Sequence, residues 1–345
     1  MTDSGGWSRP DPDKDPNQDM PSEQGLPHAP PPSQGGWGQG PGHGKPGVIP
    51  LRPLGLGEIL DGSISTMRRH PALMLGAAAA VGAVVQLISV LISWSLLRDV
   101  LQSDMLLDPN NLTEEQALDL LGRSAASAGL AIAVALIAQT FLTGFLTVVV
   151  GRAVLGRAAG FRDTLTEVGP RLLPLLGLTI LFGLISFSGV LVGAVLFALA
   201  GGPGVLFLLA GILASVWLYV RFSLATPALV LERGRVIQSL GRSALLVRGS
   251  WWRVFGILLL AYLIGMLISL VVGIPFGVAS GTSLGFGDLL LSALGSTIAG
   301  AITYPFTAGV NALLYIDRRM RIEGMDIELA RAASEPPPEG PAPQS

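Results

Sequence analysis

The feature that most constrains the fold is a set of long stretches that contain no Asp, Glu, Lys or Arg. There are five of them, and they cover residues 71–97, 124–151, 172–220, 254–287 and 289–316. A helix needs roughly 20 apolar residues to cross the hydrocarbon core of a bilayer. The third stretch is long enough for two such helices, and the Gly-Gly-Pro-Gly segment at residues 201–204 divides it with a turn signal. The sequence therefore predicts six membrane-spanning helices.

The predicted fold is all-α, a polytopic membrane helix bundle whose six spans form three hairpins. The spans are expected at about residues 72–97, 124–150, 172–199, 204–224, 254–274 and 290–316, within a membrane domain of residues 48–320. The Pro- and Gly-rich residues 1–47 contain too few aliphatic side chains to form a core, so a disordered cytoplasmic tail is predicted there. Residues 321–345 are expected to form a cytoplasmic helix and a Pro-rich tail.

Arginines lie almost entirely on one side of the predicted spans. The segment 98–123 contains two arginines and six acidic residues, and a short acidic helix is expected within it at roughly residues 114–122. The other 17 arginines from residue 52 onward lie before the first span, between the hairpins or after the sixth span. Cytoplasmic loops of membrane proteins carry the excess of Lys and Arg. We therefore expect a multi-pass protein of the cell membrane with both termini in the cytoplasm.

Each predicted hairpin follows a short stretch of similar character. These stretches are residues 57–69, 160–171 and 235–253, and they carry arginines at their ends. In the first, Leu60, Ile64 and Met67 recur at helical spacing, so amphipathic helices in the cytoplasmic interface are predicted. The threefold pattern has two interpretations, which are a true internal repeat and the convergence of arginine-flanked spans.

The residue types that most enzymes use are scarce in this chain. Cys is absent, two of the three His lie in the N-terminal tail, and His70 lies at a predicted membrane edge, so zinc has no plausible ligand set. Residues 281–285 match the G-x-S-x-G nucleophile pattern, but no His follows residue 70 to act as its base. We expect no catalytic, cofactor or metal site and no enzymatic activity. The net charge of −2 argues against a nucleic-acid partner.

Four polar or charged residues lie in or beside the predicted spans. Gln86, Gln139 and Asn311 either form interhelical hydrogen bonds or line a polar path through the bundle. Arg221 precedes a further apolar run, and it either enters the membrane or reaches back to the cytoplasmic interface. An arginine near the bilayer centre is costly, which favours the interface.

Pairs of small residues at four-residue spacing occur in three of the spans. They are Gly189 and Gly193, Gly273 and Gly277, and Ser296 and Gly300. Such pairs let two helix backbones approach closely where lipid offers no hydrophobic drive. We expect them to pack helices within the chain.

Four segments carry a resemblance to a known family. They are residues 52–62 (RPLGLGEILDG), 225–232 (ATPALVLE), 248–253 (RGSWWR) and 314–329 (LYIDRRMRIEGMDIEL). Through them, about residues 49–333 resemble a multi-pass family of high-GC Gram-positive bacteria that is labelled "glycerophosphoryl diester phosphodiesterase membrane domain". The resemblance implies a six-helix, non-catalytic membrane domain without an established function. The catalytic barrel of fused relatives is not expected in this chain.

The favoured function is that of a non-enzymatic membrane protein that organises or regulates partners at the cytoplasmic membrane face. The expected partners are membrane lipids and a protein bound through the Pro-rich N-terminal tail or the cytoplasmic loops. A candidate charged network on this face consists of Gly57, Glu58, Asp61, Arg248, Arg253, Asp317 and Glu323. The alternative is a transporter or lipid-handling protein that uses the bundle itself, because internal repeats are common in transporters.

Overall fold

The computed structural model describes residues 52–102, 113–157, 159–280 and 285–324, without the side chains of residues 99–102. The predicted N-terminal tail and most of the predicted C-terminal segment lie outside the described residues, as does most of the G-x-S-x-G match. The described residues form ten α-helices and no strand, which confirms the predicted all-α fold.

The helices are numbered in chain order. They are α1 (Leu56–Arg69), α2 (Ala77–Gln102), α3 (Glu114–Val154), α4 (Phe161–Val168), α5 (Leu172–Ala200), α6 (Val205–Phe222), α7 (Ala225–Glu232), α8 (Val236–Val247), α9 (Trp251–Ser280) and α10 (Phe286–Glu323). Among the described residues, six helical segments are long and apolar enough to cross a membrane, namely Ala72–Arg98, Glu114–Val154, Phe161–Ala200, Gly202–Glu232, Trp251–Ser280 and Phe286–Glu323. The six-helix prediction is thereby confirmed.

The acidic helix predicted at residues 114–122 is not a separate element, because it forms the first turns of α3. Thr113 caps this helix, since its hydroxyl accepts a hydrogen bond from the Gln116 amide at 3.3 Å and its amide donates to Gln116 Oε1 at 3.0 Å. No Pro or charged cluster interrupts the residues that follow. With 41 residues, α3 is about 60 Å long and extends well beyond a hydrocarbon core of about 30 Å.

The spans pack as three hairpins that meet in a closed ring. Within the hairpins α2 packs against α3, α5 against α6, and α9 against α10. Between hairpins α3 contacts α5, α6 contacts α9, and α10 contacts α2. α10 also packs against α1, α3 and α8, and its residues 312–315 are all buried. A helix that is apolar on every side is stable only where protein or lipid surrounds it, and here protein covers this part of α10.

Short helices connect the hairpins at one end of the bundle. α1, α4 and α8 precede the three hairpins, as predicted, and α1 and α8 both contact α10. α1, α4, α7, α8 and the C-terminal turns of α10 define what we call the arginine-rich end. α7 was not predicted, because residues 222–231 continue the apolar run of α6. Pro227 lies in the first turn of α7, where its missing N–H is tolerated, but it could not continue α6.

α1 packs only part of its predicted apolar stripe against the core. Leu60 and Met67 of the stripe are partly buried there, whereas Ile64 is exposed, and Ile59, Ser63 and Thr66 are fully buried. Ser63 is buried because α1 packs closely on α10, where a Cβ added to Gly309 would lie 2.8 Å from Ser63 Cβ. Small residues on both helices therefore set how near α1 lies to the centre of the bundle.

Glycines bring α5 and α6 to backbone contact. A Cβ added to Gly189 would lie 2.6 Å from the Gly211 carbonyl oxygen, and one added to Gly193 would lie 2.7 Å from the Phe207 carbonyl oxygen. This confirms the packing role predicted for the first small-residue pair. The prediction is wrong for Gly273 and Gly277, because a Cβ at either position meets nothing within 4 Å.

At Gly300 of the third pair, the nearest neighbours of an added Cβ belong to the same helix. A Cβ added to Gly300 would meet the side chain of Tyr304 on the same helix. α9 and α10 instead approach each other at Gly265, where an added Cβ would lie 2.9 Å from Thr303 Cγ2, and at Gly295, where it would lie 2.8 Å from Phe276 Cβ.

We expect Gly189→Ala to destabilise the α5–α6 hairpin by about 1–3 kcal/mol, because the added methyl group overlaps the α6 backbone. Thermal unfolding of the full chain in detergent measures this change. Gly183→Ala is the matched control on the same helix, since a Cβ at Gly183 meets nothing within 4 Å. The control should leave stability unchanged or slightly raised, as Ala favours helix more than Gly does. Equal effects of the two substitutions would contradict the close approach of α5 and α6.

Candidate functional site

A fully buried carboxylate lies at the arginine-rich end of the bundle. Asp317 of α10 has no exposed side-chain surface. Its Oδ1 accepts hydrogen bonds from Arg321 Nε at 2.8 Å and from the Leu54 amide at 2.8 Å. Its Oδ2 accepts a bond from Arg253 Nη2 at 3.2 Å. Burying a charge is strongly unfavourable unless it is paired and hydrogen-bonded, and both conditions are met here.

The same two arginines also hold the backbone of Leu54. The Leu54 carbonyl oxygen accepts hydrogen bonds from Arg253 Nη2 at 2.7 Å and from Arg321 Nη2 at 2.9 Å. The Leu54 side chain is fully buried in the core that α10 helps to form. The segment that leads into α1 is therefore fixed to α9 and α10 by its amide, its carbonyl and its side chain.

Arg318 ties α8 to α10. Its side chain is almost fully buried, and its Nε donates to the Leu246 carbonyl oxygen at 2.9 Å. The last four carbonyl groups of a helix lack partners within the helix, and Leu246 is in the last turn of α8. The arginine thus supplies a hydrogen-bond donor to a carbonyl group that would otherwise lack one.

A second cluster surrounds Glu232 at the end of α7. Its Oε1 accepts hydrogen bonds from Arg242 Nε of α8 at 2.9 Å and from the Tyr315 hydroxyl of α10. Arg242 also pairs with Glu323, and Arg319 Nε lies 2.9 Å from Glu323 Oε2. The cluster joins three helices and alternates acids with arginines.

A third cluster connects α3, α4 and α7. Arg152 Nη2 donates to Glu167 Oε2 at 2.9 Å, and the exposed Arg233 lies 3.7 Å from the other oxygen of that carboxylate. Arg171 donates a hydrogen bond to the Val230 carbonyl oxygen near the end of α7. The arginine-rich end is therefore held by three groups of ion pairs, each of which spans more than one helix.

The structure brings only some of the predicted network residues together. Arg253 and Asp317 form the first cluster, and Glu323 belongs to the second. Glu58 pairs instead with Arg52 at 2.6 Å and caps α1 by accepting from the Gly55 amide. Gly57, Asp61 and Arg248 are exposed and lie outside these clusters.

Residues that sequence reasoning missed make up much of these clusters. They are Leu54, Arg152, Glu167, Glu232, Arg242, Tyr315, Arg318, Arg319 and Arg321. Part of the signal was present, because Asp317 and Arg321, like Arg319 and Glu323, are four residues apart and so share a helix face. Glu232 of α7 and Arg242 of α8 have no partner at such spacing in the sequence, because their partners lie on other helices.

The four intramembrane candidates occupy different surroundings. Arg221 places its guanidinium over the Trp217 ring at 5.0 Å, near the end of α6. Gln139 is exposed and donates to Thr143 on its own helix at 3.2 Å. Gln86 lines a cavity of about 380 Å³ between α2, α9 and α10. Asn311 lines another cavity, and its Oδ1 is buried without a hydrogen-bond partner.

Small hydroxyl groups form interhelical hydrogen bonds, which were one of the two interpretations for the Gln and Asn residues. The Thr140 hydroxyl of α3 donates to Thr179 of α5 at 3.2 Å, and the hydroxyl oxygens of Ser269 and Thr303 lie 3.3 Å apart between α9 and α10.

Within the described residues, no group of three or more His, Asp or Glu is placed to hold a metal ion. The acidic side chains and the arginines at the arginine-rich end pair with one another, and these ion pairs hold the helices in place.

We expect Asp317→Asn to lower stability by about 3 kcal/mol, because it removes the counter-charge of two arginines in a buried site. The amide oxygen can still accept from the Leu54 N–H, whereas the amide NH2 group cannot accept from Arg253 Nη2, so the loss reports on the charge and on this hydrogen bond. Thermal unfolding in detergent gives the measurement. Asp61→Asn changes the same group at an exposed position of α1 and should alter stability by no more than about 0.5 kcal/mol. Similar stabilities of the two variants would show that the Asp317 carboxylate is not essential to the packing.

A comparison with known families gives one match. The model of a domain of unknown function (DUF7847) matches residues 54–317, which is more than half of the chain. No curated protein and no solved structure matches the chain. The match agrees with the expected uncharacterised family, and it does not confirm the phosphodiesterase membrane-domain label. The matched region begins at the anchored Leu54 and ends at the buried Asp317, and the chain belongs to the DUF7847 family.

Proposed function

We propose that this protein is a non-enzymatic membrane protein that organises or regulates partners at the cytoplasmic face of the cell membrane. The observation that carries the proposal is the anchoring of Leu54 by Asp317, Arg253 and Arg321. The Pro-rich residues 1–47 precede this point in the chain. Pro-rich segments dock into partner grooves with little loss of conformational entropy, so an anchored attachment point suits a docking segment.

The charge pairing at the arginine-rich end supports a structural role over a catalytic one. Asp317, Glu232 and Glu323 each contact two arginines, so none is left as a general base. This arrangement is consistent with a rigid platform.

Two charged residues of the predicted network remain available to a partner. Asp61 of α1 and Arg248, directly after α8, are exposed. They lie on elements whose positions are set by the clusters beneath them. Membrane lipids and a protein are the proposed partners, and exposed charges would provide orientation and specificity more than affinity.

Reporter fusions test the proposed orientation. A phosphatase that is active only outside the cell should be active when fused at Asn110 and inactive when fused after Ser345. A fluorescent protein that matures only in the cytoplasm should give the opposite pattern. The expectation rests on the 17 arginines that the sequence has before the first span, between the hairpins and after the sixth span. A phosphatase active after Ser345 would place this end outside and overturn the cytoplasmic assignment.

Affinity purification of the full chain from its membrane tests the organising role. We expect a stoichiometric protein partner that is reduced by deletion of residues 1–47 or by the paired charge reversals Asp61→Arg and Arg248→Glu. Glu115→Arg is the matched control, because Glu115 is exposed at the opposite end of α3. A partner that is absent, or that all variants retain equally, would contradict the proposal.

A further inference from the structure

A polar cavity of about 420 Å³ lies at the arginine-rich end, where α3, α4 and α7 meet. Its lining consists of three arginines, two acids and two uncharged residues, namely Arg152, Arg171, Arg233, Asp163, Glu167, Thr166 and Pro170. Three guanidinium groups and two carboxylates leave an excess of one positive charge in the lining. A phosphodiester group carries one negative charge, so it matches this excess.

Two of the three arginines keep hydrogen-bond donors for a further anion. Arg152 is paired, because its Nη2 donates to Glu167 Oε2 at 2.9 Å. Arg171 donates to the Val230 carbonyl oxygen and forms no ion pair within the described residues. Arg233 Nη2 lies 3.7 Å from Glu167 Oε1, which is too long for a hydrogen bond. Since a guanidinium group has five N–H donors, most donors of Arg171 and Arg233 remain available.

The second carboxylate of the lining has a favourable position of its own. Asp163 lies in the first turn of α4, where a negative charge interacts favourably with the positive end of the helix dipole. It therefore does not depend on Arg171 or Arg233 for a counter-charge. The excess of positive charge falls on these two arginines.

The backbone at Arg233 is strained. This residue directly follows α7 with φ 56° and ψ 31°, and among the described residues it is the only non-glycine residue with a positive φ. Glycine is the usual residue after a helix in this conformation, because it has no Cβ to clash with the backbone. Natural proteins keep such strain mainly where the side chain has a function. The strain at Arg233 therefore favours a role for its guanidinium group in the polar cavity.

The segment between α4 and α5 lines this cavity and also an apolar one. Pro170 and Arg171 line the polar cavity, whereas Gly169, Leu172 and Leu173 line a cavity of about 800 Å³ between α2, α3 and α5. Five consecutive residues thus divide between a charged site and an apolar site. A phospholipid has the same division, because its charged phosphate is next to its acyl chains.

The apolar cavity is open to the surrounding lipid. Val84 of α2, Ile137 of α3 and Leu173 of α5 line it and are 58%, 60% and 78% exposed. They belong to three different spans, so an acyl chain can enter from the bilayer between the first hairpin and α5. Thr140 contributes the only side-chain hydroxyl group of this lining, and it already bonds Thr179 at 3.2 Å. The lining therefore suits a hydrocarbon chain.

The charge of the polar cavity selects among phosphate-containing molecules. A zwitterionic headgroup would add a cation to a lining that already has an excess of positive charge. Free phosphate would contact the polar cavity but would leave the apolar cavity unused. Basic pockets between spans on the cytoplasmic side suit the headgroups of anionic lipids. An anionic phospholipid uses both cavities and neutralises the excess charge.

We propose that these two cavities form one binding site for an anionic phospholipid, with its phosphate group at Arg171 and Arg233 and an acyl chain along α2, α3 and α5. Arginine bonds phosphate oxygens with two parallel N–H groups, which gives the site its orientation. The proposal deepens the proposed function and rests on it, because it names one of the lipid partners expected at the arginine-rich end.

Photocrosslinking of the wild-type full chain in dodecyl maltoside micelles tests the site. The probe is phosphatidylglycerol with a diazirine in one acyl chain. We expect crosslinks on α2, α3 and α5 within the lining of the apolar cavity. Unlabelled phosphatidylglycerol should displace the probe at least about fivefold better than phosphatidylcholine does. Equal displacement by the two lipids, displacement by inorganic phosphate alone, or crosslinks spread evenly over the outer surface would overturn the proposal.

A matched pair of variants tests the arginine at the headgroup. Arg233→Gln should weaken displacement by phosphatidylglycerol by about fivefold, because one positive charge near the phosphate is lost. Arg157→Gln is the control, since Arg157 is exposed in the connection between α3 and α4 and lines neither cavity. An equal loss in the two variants would show that general surface charge attracts the lipid, which would overturn the proposal.

A glycine at the same position separates binding from a structural role. Arg233→Gly relieves the positive φ, so the melting temperature without added lipid should stay equal or rise while the preference for phosphatidylglycerol falls. A clear fall in melting temperature would mean that Arg233 acts by holding Glu167, which would overturn its assignment to the phosphate. These measurements use the purified chain with lipids, whereas the organising function is tested by copurified proteins. Either proposal can therefore fail while the other holds.

Discussion

The buried carboxylate of Asp317 governs how the arginine-rich end is built. A charge with no exposure to solvent must be matched by nearby donors, and Asp317 receives them from Arg253, Arg321 and the Leu54 amide. Because these donors lie on α9, on α10 and before α1, the carboxylate can be satisfied only when all three elements are assembled. The ion pairs of Asp317 therefore form only in the assembled tertiary structure, and they fix the position of Leu54 before α1.

Arginines also solve the problem of helix ends at this face. The carbonyl oxygens of Leu246 and Val230 lie in the last turns of α8 and α7, and each accepts a hydrogen bond from an arginine of another element. A guanidinium group has five N–H donors in a planar fork, so one side chain can bond a carbonyl and still pair with a carboxylate. The short helices α7 and α8 can therefore end within this part of the protein while these carbonyl groups stay hydrogen-bonded.

The span pattern could be predicted from the sequence because it depends on composition alone. The charge-free stretches indicated the six helices, and the Gly and Pro residues at 201–204 indicated the turn after α5. α7 was missed because its residues are as apolar as those of α6, and only Pro227 marks the break. Of the candidate site, the residue types at Arg253 and Asp317 were recognisable. Their contact with Leu54, which is 263 residues from Asp317 in the chain, depends on the assembled fold.

The positions of the glycines determine where helices pack closely and where a cavity remains between them. Gly189, Gly193 and Gly211 hold α6 at backbone distance from α5, so the remaining space falls on the side of α6 that faces α9 and α10. Elsewhere in the described spans small hydroxyl groups pair across helices, as Thr140 does with Thr179. The cavity that Asn311 lines takes up this remaining space, and most of its lining is apolar.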